Sequence, residues 1–275
     1  MTCAWKELLS ILPSRLRPEV DRLGRDTLQE LRLRRGAPPE LVFAGKSLWL
    51  SGAVTREEVD FVINTASRYS PWAAATAAHG YLTAPGGHRI GICGEAVCRQ
   101  GSVTGMREIN FLCIRVARDF PDWGKDVSGL PGNILILGAP GWGKTTLLRC
   151  LSRHIAQTQT VSVVDERGEL FPQGVSRGKR MDILTGCPKP VGVEIMLRTM
   201  GPSCIAVDEI TAEGDCRALL QAANCGVRLL ATAHGASSRD FASRGVYREL
   251  AEHKVFDTLL VLGKDKSYHA ERMTL

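Results

Sequence analysis

Residues Gly138–Thr145 read GAPGWGKT. Glycines at 138, 141 and 143 stand before a lysine and a hydroxyl. The apolar run Ile134–Leu137 leads in, and Leu147, Leu148, Leu151 and Ile155 lead out at helical spacing. A loop with this much backbone freedom can aim successive N–H groups inward, and a helix N-terminus adds partial positive charge behind them. Strand, loop, lysine and helix in this register match G-x-x-x-x-G-K-[ST], the Walker A cradle for a polyphosphate. The residues expected to wrap it are Gly138, Ala139, Pro140, Gly141, Trp142, Gly143, Lys144, Thr145 and Thr146. Lys144 is expected on the β- and γ-phosphates and the Thr145 hydroxyl on Mg²⁺, so the ligands implied are ATP and Mg²⁺. Trp142 is bulky for such a loop; surface packing or stacking on a base would both accommodate it.

Binding is not hydrolysis, and a second stretch bears on that. CIAVDEI, residues 204–210, ends an apolar run with Asp208 and Glu209. This is the Walker B pattern: Asp208 is placed to hold the Mg²⁺ shell and Glu209 to polarise an attacking water. Two more apolar runs end in polar groups, one in Asp165, Glu166 and Arg167, the other in His234. In an open α/β sheet, ligands lie at the carboxyl ends of the strands. His234 is therefore expected as a γ-phosphate sensor. Glu166 is either a second catalytic carboxylate or the partner of Arg167. Arg198 is either a phosphate-side cation or the partner of Glu194, one helical turn before it.

These groups need elements to carry them. NILILG, TVSVVDE, SCIAVDEI, VRLLATAH and FDTLLVLG are short and almost wholly apolar. Such runs mark parallel strands buried on both faces. TLLVLGKDKSYHAERM adds a terminal hairpin through Lys264–Ser267. Before residue 120 the pattern differs. LVFAGKSLWL spells strand, turn, strand. Thr55 and Glu58 form a capping box ahead of a helical stripe of Val59, Val62, Ile63 and Ala66. GYLTAPGGHRIGICGEAV gives two strands about a Pro-Gly-Gly turn, and INFLCIRVAR gives another strand. Trp5, Leu8, Leu9, Leu12 and Leu16 share the face of an N-terminal amphipathic helix. Residues 119–132, rich in Pro, Gly and Asp, form the linker. The expected domains are therefore 1–125 and 126–275.

Composition narrows the class without choosing within it. The chain has 275 residues, 44% hydrophobic and 23% charged, with a formal net charge of +6. That excess permits acidic partners but demands none. No apolar run approaches the roughly 18 residues of a membrane span. The nine cysteines form no CxxC pair, and buried free thiols in a reducing cytoplasm are expected.

QELRLRRGAPPEL, HGYLTAPGGHRIGICGEAV and INFLCIRVAR, followed by GAPGWGKTTLLR, VVDERGEL, RMDILTGCPK, LRTMGPSCIAVDEI and ATAHG, run in an order that resembles the stage III sporulation protein AA family. That family is a branch of the secretion ATPases. The resemblance implies an α/β RecA-like P-loop NTPase core with a smaller α+β N-terminal domain. It implies a homo-hexamer with ATP between subunits, in which Asp165–Glu166 match an acidic box and His234 a histidine box. It places the N-terminal domain against the next subunit's nucleotide, which makes Arg89 and Arg115 candidates to act in trans. The implied role is to power a channel between mother cell and forespore. The chain would then sit in the mother-cell cytoplasm, peripheral to the membrane, with membrane channel proteins as partners and no stable nucleic acid. Two features depart from the wider group. Asp208 stands where secretion ATPases of pili and type II systems usually have Gly, and the tetracysteine zinc site of some relatives is missing. The alternative is a nucleic-acid-dependent RecA-like ATPase. Residues 15–35 hold seven arginines against four acidic residues, yet without the aromatic interleaving that single strands require.

Overall fold

The computed structural model describes residues 3–67, 80–99, 101–172 and 175–273. The chain divides into two compact units, Met1–Asp119 with Pro172–Val175, and Phe120–Phe171 with Ser176–Leu275.

The first unit is built on an antiparallel sheet ordered β3-β2-β1-β6-β5-β4. Its strands are β1 (Glu30–Arg34), β2 (Glu40–Phe43), β3 (Lys46–Trp49), β4 (Tyr81–Thr83), β5 (Arg89–Arg99) and β6 (Ser102–Arg115). Alternation decides which side is buried: Leu31 and Leu33 of β1, and Leu41 and Phe43 of β2, turn inward, while Glu30, Arg32 and Arg34 turn out. The inner side joins helices α1 (Trp5–Ser10), α2 (Arg17–Gly24) and α3 (Arg56–Ala66) in one apolar cluster. The N-terminal amphipathic stretch is not one helix. α1 stops at Ser10, ahead of Pro13, yet Trp5, Leu8, Leu12 and Leu16 are all buried. The start of α3 is fixed as its sequence demands: the Glu58 N–H donates to Thr55 Oγ1 at 3.2 Å and the Thr55 N–H to Glu58 Oε2 at 3.0 Å.

The second unit carries a sheet ordered β13-β12-β7-β11-β10-β8-β9. Its strands are β7 (Ile134–Leu137), β8 (Val161–Asp165), β9 (Met181–Thr185), β10 (Cys204–Val207), β11 (Arg228–Ala233), β12 (Thr258–Leu262) and β13 (Tyr268–Arg272). All neighbours are parallel except the β12–β13 hairpin. α4 (Lys144–Ile155) packs on β7, β8 and β11. α5 (Lys189–Thr199), α6 (Glu213–Asn224), α7 (Ser238–Ser243) and α8 (Arg248–Glu252) supply further cover. Leu135, Leu137, Val164, Ile205, Val207, Leu229 and Ala231 share one cluster with apolar residues of these four helices. Burial of both faces is why these strands are almost wholly apolar.

The second unit begins at Phe120, and aromatic packing accompanies that start. Phe120 meets Trp123 edge-on with ring centroids 6.5 Å apart, and Trp123 lies 6.2 Å from Tyr268 of β13. Residues 120–123 thus pack with the strands that follow them. The cysteines are free, but of the nine only Cys150, Cys204 and Cys216 are fully buried; Cys93, Cys98 and Cys225 are exposed. Cys93 and Cys98 lie on a β5 stretch that is largely open to solvent, where residue type alone does not report burial.

Candidate nucleotide site

Four parallel strands, β7, β11, β10 and β8, lie side by side and end at the same edge of the sheet. The loop after β7 turns through Gly141 and Gly143, whose φ values of 76° and 104° lie where side chains are strained. Space beside Gly141 is open: a β-carbon added there would meet no atom within 4 Å. Gly143 is also the N-cap of α4, so the loop opens onto a helix N-terminus.

Lys144 is only 7% exposed. Its Nζ donates to the Ala139 carbonyl at 3.2 Å and meets His234 Nδ1 at 3.4 Å. Burial pulls its pKa down, while Asp208 and Glu209 push it back up. No salt bridge within 4 Å reaches this ammonium among the described residues. A buried cation beside an open glycine turn fits an incoming polyanion.

Asp208 is held from two sides. Thr145 Oγ1 donates to Oδ2 at 2.7 Å, and Thr232 Oγ1 donates to Oδ1 at 2.6 Å. Thr232 Oγ1 also accepts the Glu209 N–H at 2.8 Å. That bond helps hold Glu209 at φ 55°, an uncommon angle for a residue with a side chain. The Glu209 carboxylate is bound at both oxygens, by His234 Nε2 at 2.9 Å and by Arg167 at 3.1 Å. With the lysine donating to Nδ1, the imidazole carries its proton on Nε2 and donates to Glu209. Burial alone would raise the Glu209 pKa. The His234 bond, with Arg167 and Lys144, outweighs it and holds the carboxyl below its ordinary value.

The residues at and after the end of β8 take different roles. Asp165 is buried and accepts the N–H groups of Glu169, Leu170 and Phe171 at 2.8, 2.9 and 3.1 Å. Arg149 of α4 donates to the Glu169 and Leu170 carbonyls of the same loop. Burial raises the Asp165 pKa against those three bonds. Asp165→Ala would strand three donors, and we expect a stability loss of about 3 kcal/mol or more. A urea midpoint that moves by less than about 1 kcal/mol equivalent would contradict this role.

Glu166 does not pair with Arg167, because the turn sends the two side chains to different partners. Glu166 meets Lys189 Nζ at 2.5 Å, and Arg167 goes to Glu209. Lys189 is 8% exposed and also lies 3.9 Å from Asp215. Asp215 in turn accepts the backbone N–H groups of Thr211 and Ala212, so the Lys189 cluster buttresses the loop behind Glu209. Arg198 is not brought to this cluster. It pairs with Glu194 at 2.8 Å on an exposed face, about 13 Å along α5 from Lys189. Thr232, Lys189 and Asp215 escaped the sequence reading. Thr232 carried one signal, a hydroxyl inside an otherwise apolar strand and two residues before His234, hence on the same side.

The fold has known counterparts. The pilus retraction motor PilT with bound ADP superposes with a TM-score of 0.64 over 95% of this chain and 83% of its own, at 16% identity. The ATPase DotB of Legionella pneumophila gives 0.60 over 94% and 78%, at 18% identity. The fold is therefore one shared with these two proteins, an α/β RecA-like P-loop core with a smaller α+β N-terminal unit. A family model described as sporulation stage III, protein AA, matches residues 4–271. Stage III sporulation protein AA of Bacillus subtilis (strain 168) is 34% identical over 94% of this chain and 91% of its own length. The chain belongs to the stage III sporulation protein AA family. An uncharacterized protein ycf45 of Porphyra purpurea is 28% identical over 84% of this chain and 40% of its own.

Proposed function

We propose that the chain is an Mg²⁺-dependent ATPase, a secretion-type motor that powers or assembles a trans-envelope channel between mother cell and forespore during endospore formation. The observation that carries the catalytic part is the linked chain Lys144–His234–Glu209 beside the Thr145–Asp208 pair. Family membership and the secretion-ATPase fold support the cellular part.

The cradle N–H groups of residues 141–146 bind the phosphates, and Lys144 neutralises their charge. Thr145 and Asp208 would hold the magnesium ion, which supplies charge compensation at the transferred phosphoryl group. Glu209 accepts the proton of the attacking water. Of the two carboxylates it is the one linked through His234 to Lys144, whereas Glu166 is held by the Lys189 ammonium at 2.5 Å. His234 links Lys144 to Glu209, so a change at the lysine when phosphate arrives is felt at the base. Arg89 and Arg115 face each other across β5 and β6. Arg89 lies over the Tyr81 ring, and Arg115 pairs with Glu30 at 3.5 Å while 65% exposed. Either would serve a neighbouring subunit of a homo-hexamer.

The nucleic-acid alternative loses ground in the arginine-rich stretch. Arg15, Arg25, Arg32 and Arg34 are each paired with a carboxylate of this chain. The deciding experiment compares ATPase stimulation by DNA and by membranes from sporulating cells at about 0.15 M salt. We expect membrane association and stimulation through channel proteins, and none by single- or double-stranded DNA. DNA stimulation that falls steeply with salt, without membrane association, would reverse the ranking.

A further inference from the structure

The cradle has two chemically distinct ends. Lys144 reaches His234 just after β11, and Thr145 reaches Asp208 just after β10. The phosphate to be cleaved therefore faces the β10–β11 side of β7. A nucleotide is a linear ligand, so its nucleoside leaves the cradle on the other side. β12 and β13 lie there.

That side carries aromatic groups the hydrolytic residues do not use. Trp123 lies against the last glycine of the cradle: a β-carbon on Gly143 would come within 2.9 Å of the indole. Tyr268 of β13 leans on Trp123 at 51° with centroids 6.2 Å apart, and its hydroxyl donates to Asp126. Phe120 meets the indole edge-on and is 39% exposed. Lys266, in the turn before β13 at φ 70°, donates to the Gly141 carbonyl and ties the hairpin to the cradle. Trp123 and Tyr268 are half-buried.

We propose that this shelf, Trp123 with Tyr268 and Phe120 at its rim, receives the purine base of the bound nucleotide by stacking. The inference rests on the nucleotide reading above and adds to it the group that distinguishes a nucleoside polyphosphate from a bare polyphosphate. Stacking on an aromatic side chain suits a base because every base offers a π-face.

The test uses the full chain and two probes, ATP and inorganic tripolyphosphate, each with Mg²⁺, titrated by calorimetry into wild type, Trp123→Ala, Trp123→Phe and Tyr268→Leu. Trp123→Ala should weaken ATP binding about tenfold or more. Its tripolyphosphate affinity should stay near wild type, and Trp123→Phe should recover most of the ATP affinity. Equal losses for both probes would make Trp123 a prop for the cradle, and no loss for either would place the base elsewhere; both results overturn the proposal. If Trp123→Ala does not fold, Tyr268→Leu carries the same comparison with the same outcomes. A folded wild type that binds neither probe would overturn the nucleotide reading itself, which separates the two failures.

Discussion

Glu209→Gln is expected to keep ATP bound while hydrolysis falls about a hundredfold or more. The substitution removes the proton acceptor and keeps the size of the side chain and its ability to accept from His234 Nε2, now 2.9 Å away. Glu209 also suits the task electrostatically. His234, Arg167 and Lys144 overcome the effect of burial and keep its carboxyl ionised. Loss of the carboxylate should therefore act on turnover more than on affinity. The check is steady-state phosphate release beside a direct binding titration. Undiminished turnover would move the base to Glu166, whose carboxylate would then have to leave Lys189.

Lys144→Ala is expected to take hydrolysis to background and to weaken ATP binding as well. Lys144 is the buried cation at the mouth of the cradle, 7% exposed. Its removal leaves the β- and γ-phosphates without that charge and leaves His234 Nδ1 without its donor. Loss of one preorganised donor to developing charge costs about 10²- to 10³-fold in turnover, and ground-state binding suffers in addition. The two variants thus separate: Glu209→Gln holds ATP, Lys144→Ala does not. Equal ATP affinity in Lys144→Ala and wild type would contradict the assignment of Lys144 to the phosphates.

Local chemistry was legible in the sequence, and long-range pairing was not. The cradle lies within one strand–loop–helix unit, so residues 134–155 announce it without help from the rest of the chain. The Thr55–Glu58 capping box and the β12–β13 hairpin are local in the same way. Asp208, Glu209 and His234 could be placed because parallel strands deliver their carboxyl ends to one edge. Their partners could not. Thr232 reaches Asp208 from an adjacent strand, and Lys189 reaches Glu166 from the start of a helix beyond β9. Arg167 shows the limit most plainly. Chain adjacency offers a pair with Glu166, yet the turn after β8 aims the guanidinium at Glu209 and leaves Glu166 to Lys189. β9 escaped as a separate strand because none of its residues is fully buried at the edge of the sheet.

The central claim, that this site cleaves ATP with Glu209 as its base, is tested most directly by a single-turnover reaction. The chain, in excess over labelled MgATP, is incubated and passed through a desalting column, and the bound nucleotide is identified. Wild type should release phosphate and retain ADP, while Glu209→Gln should retain intact ATP under the same conditions. Intact ATP on the wild type after prolonged incubation, or ADP on both proteins at equal rates, would contradict the account.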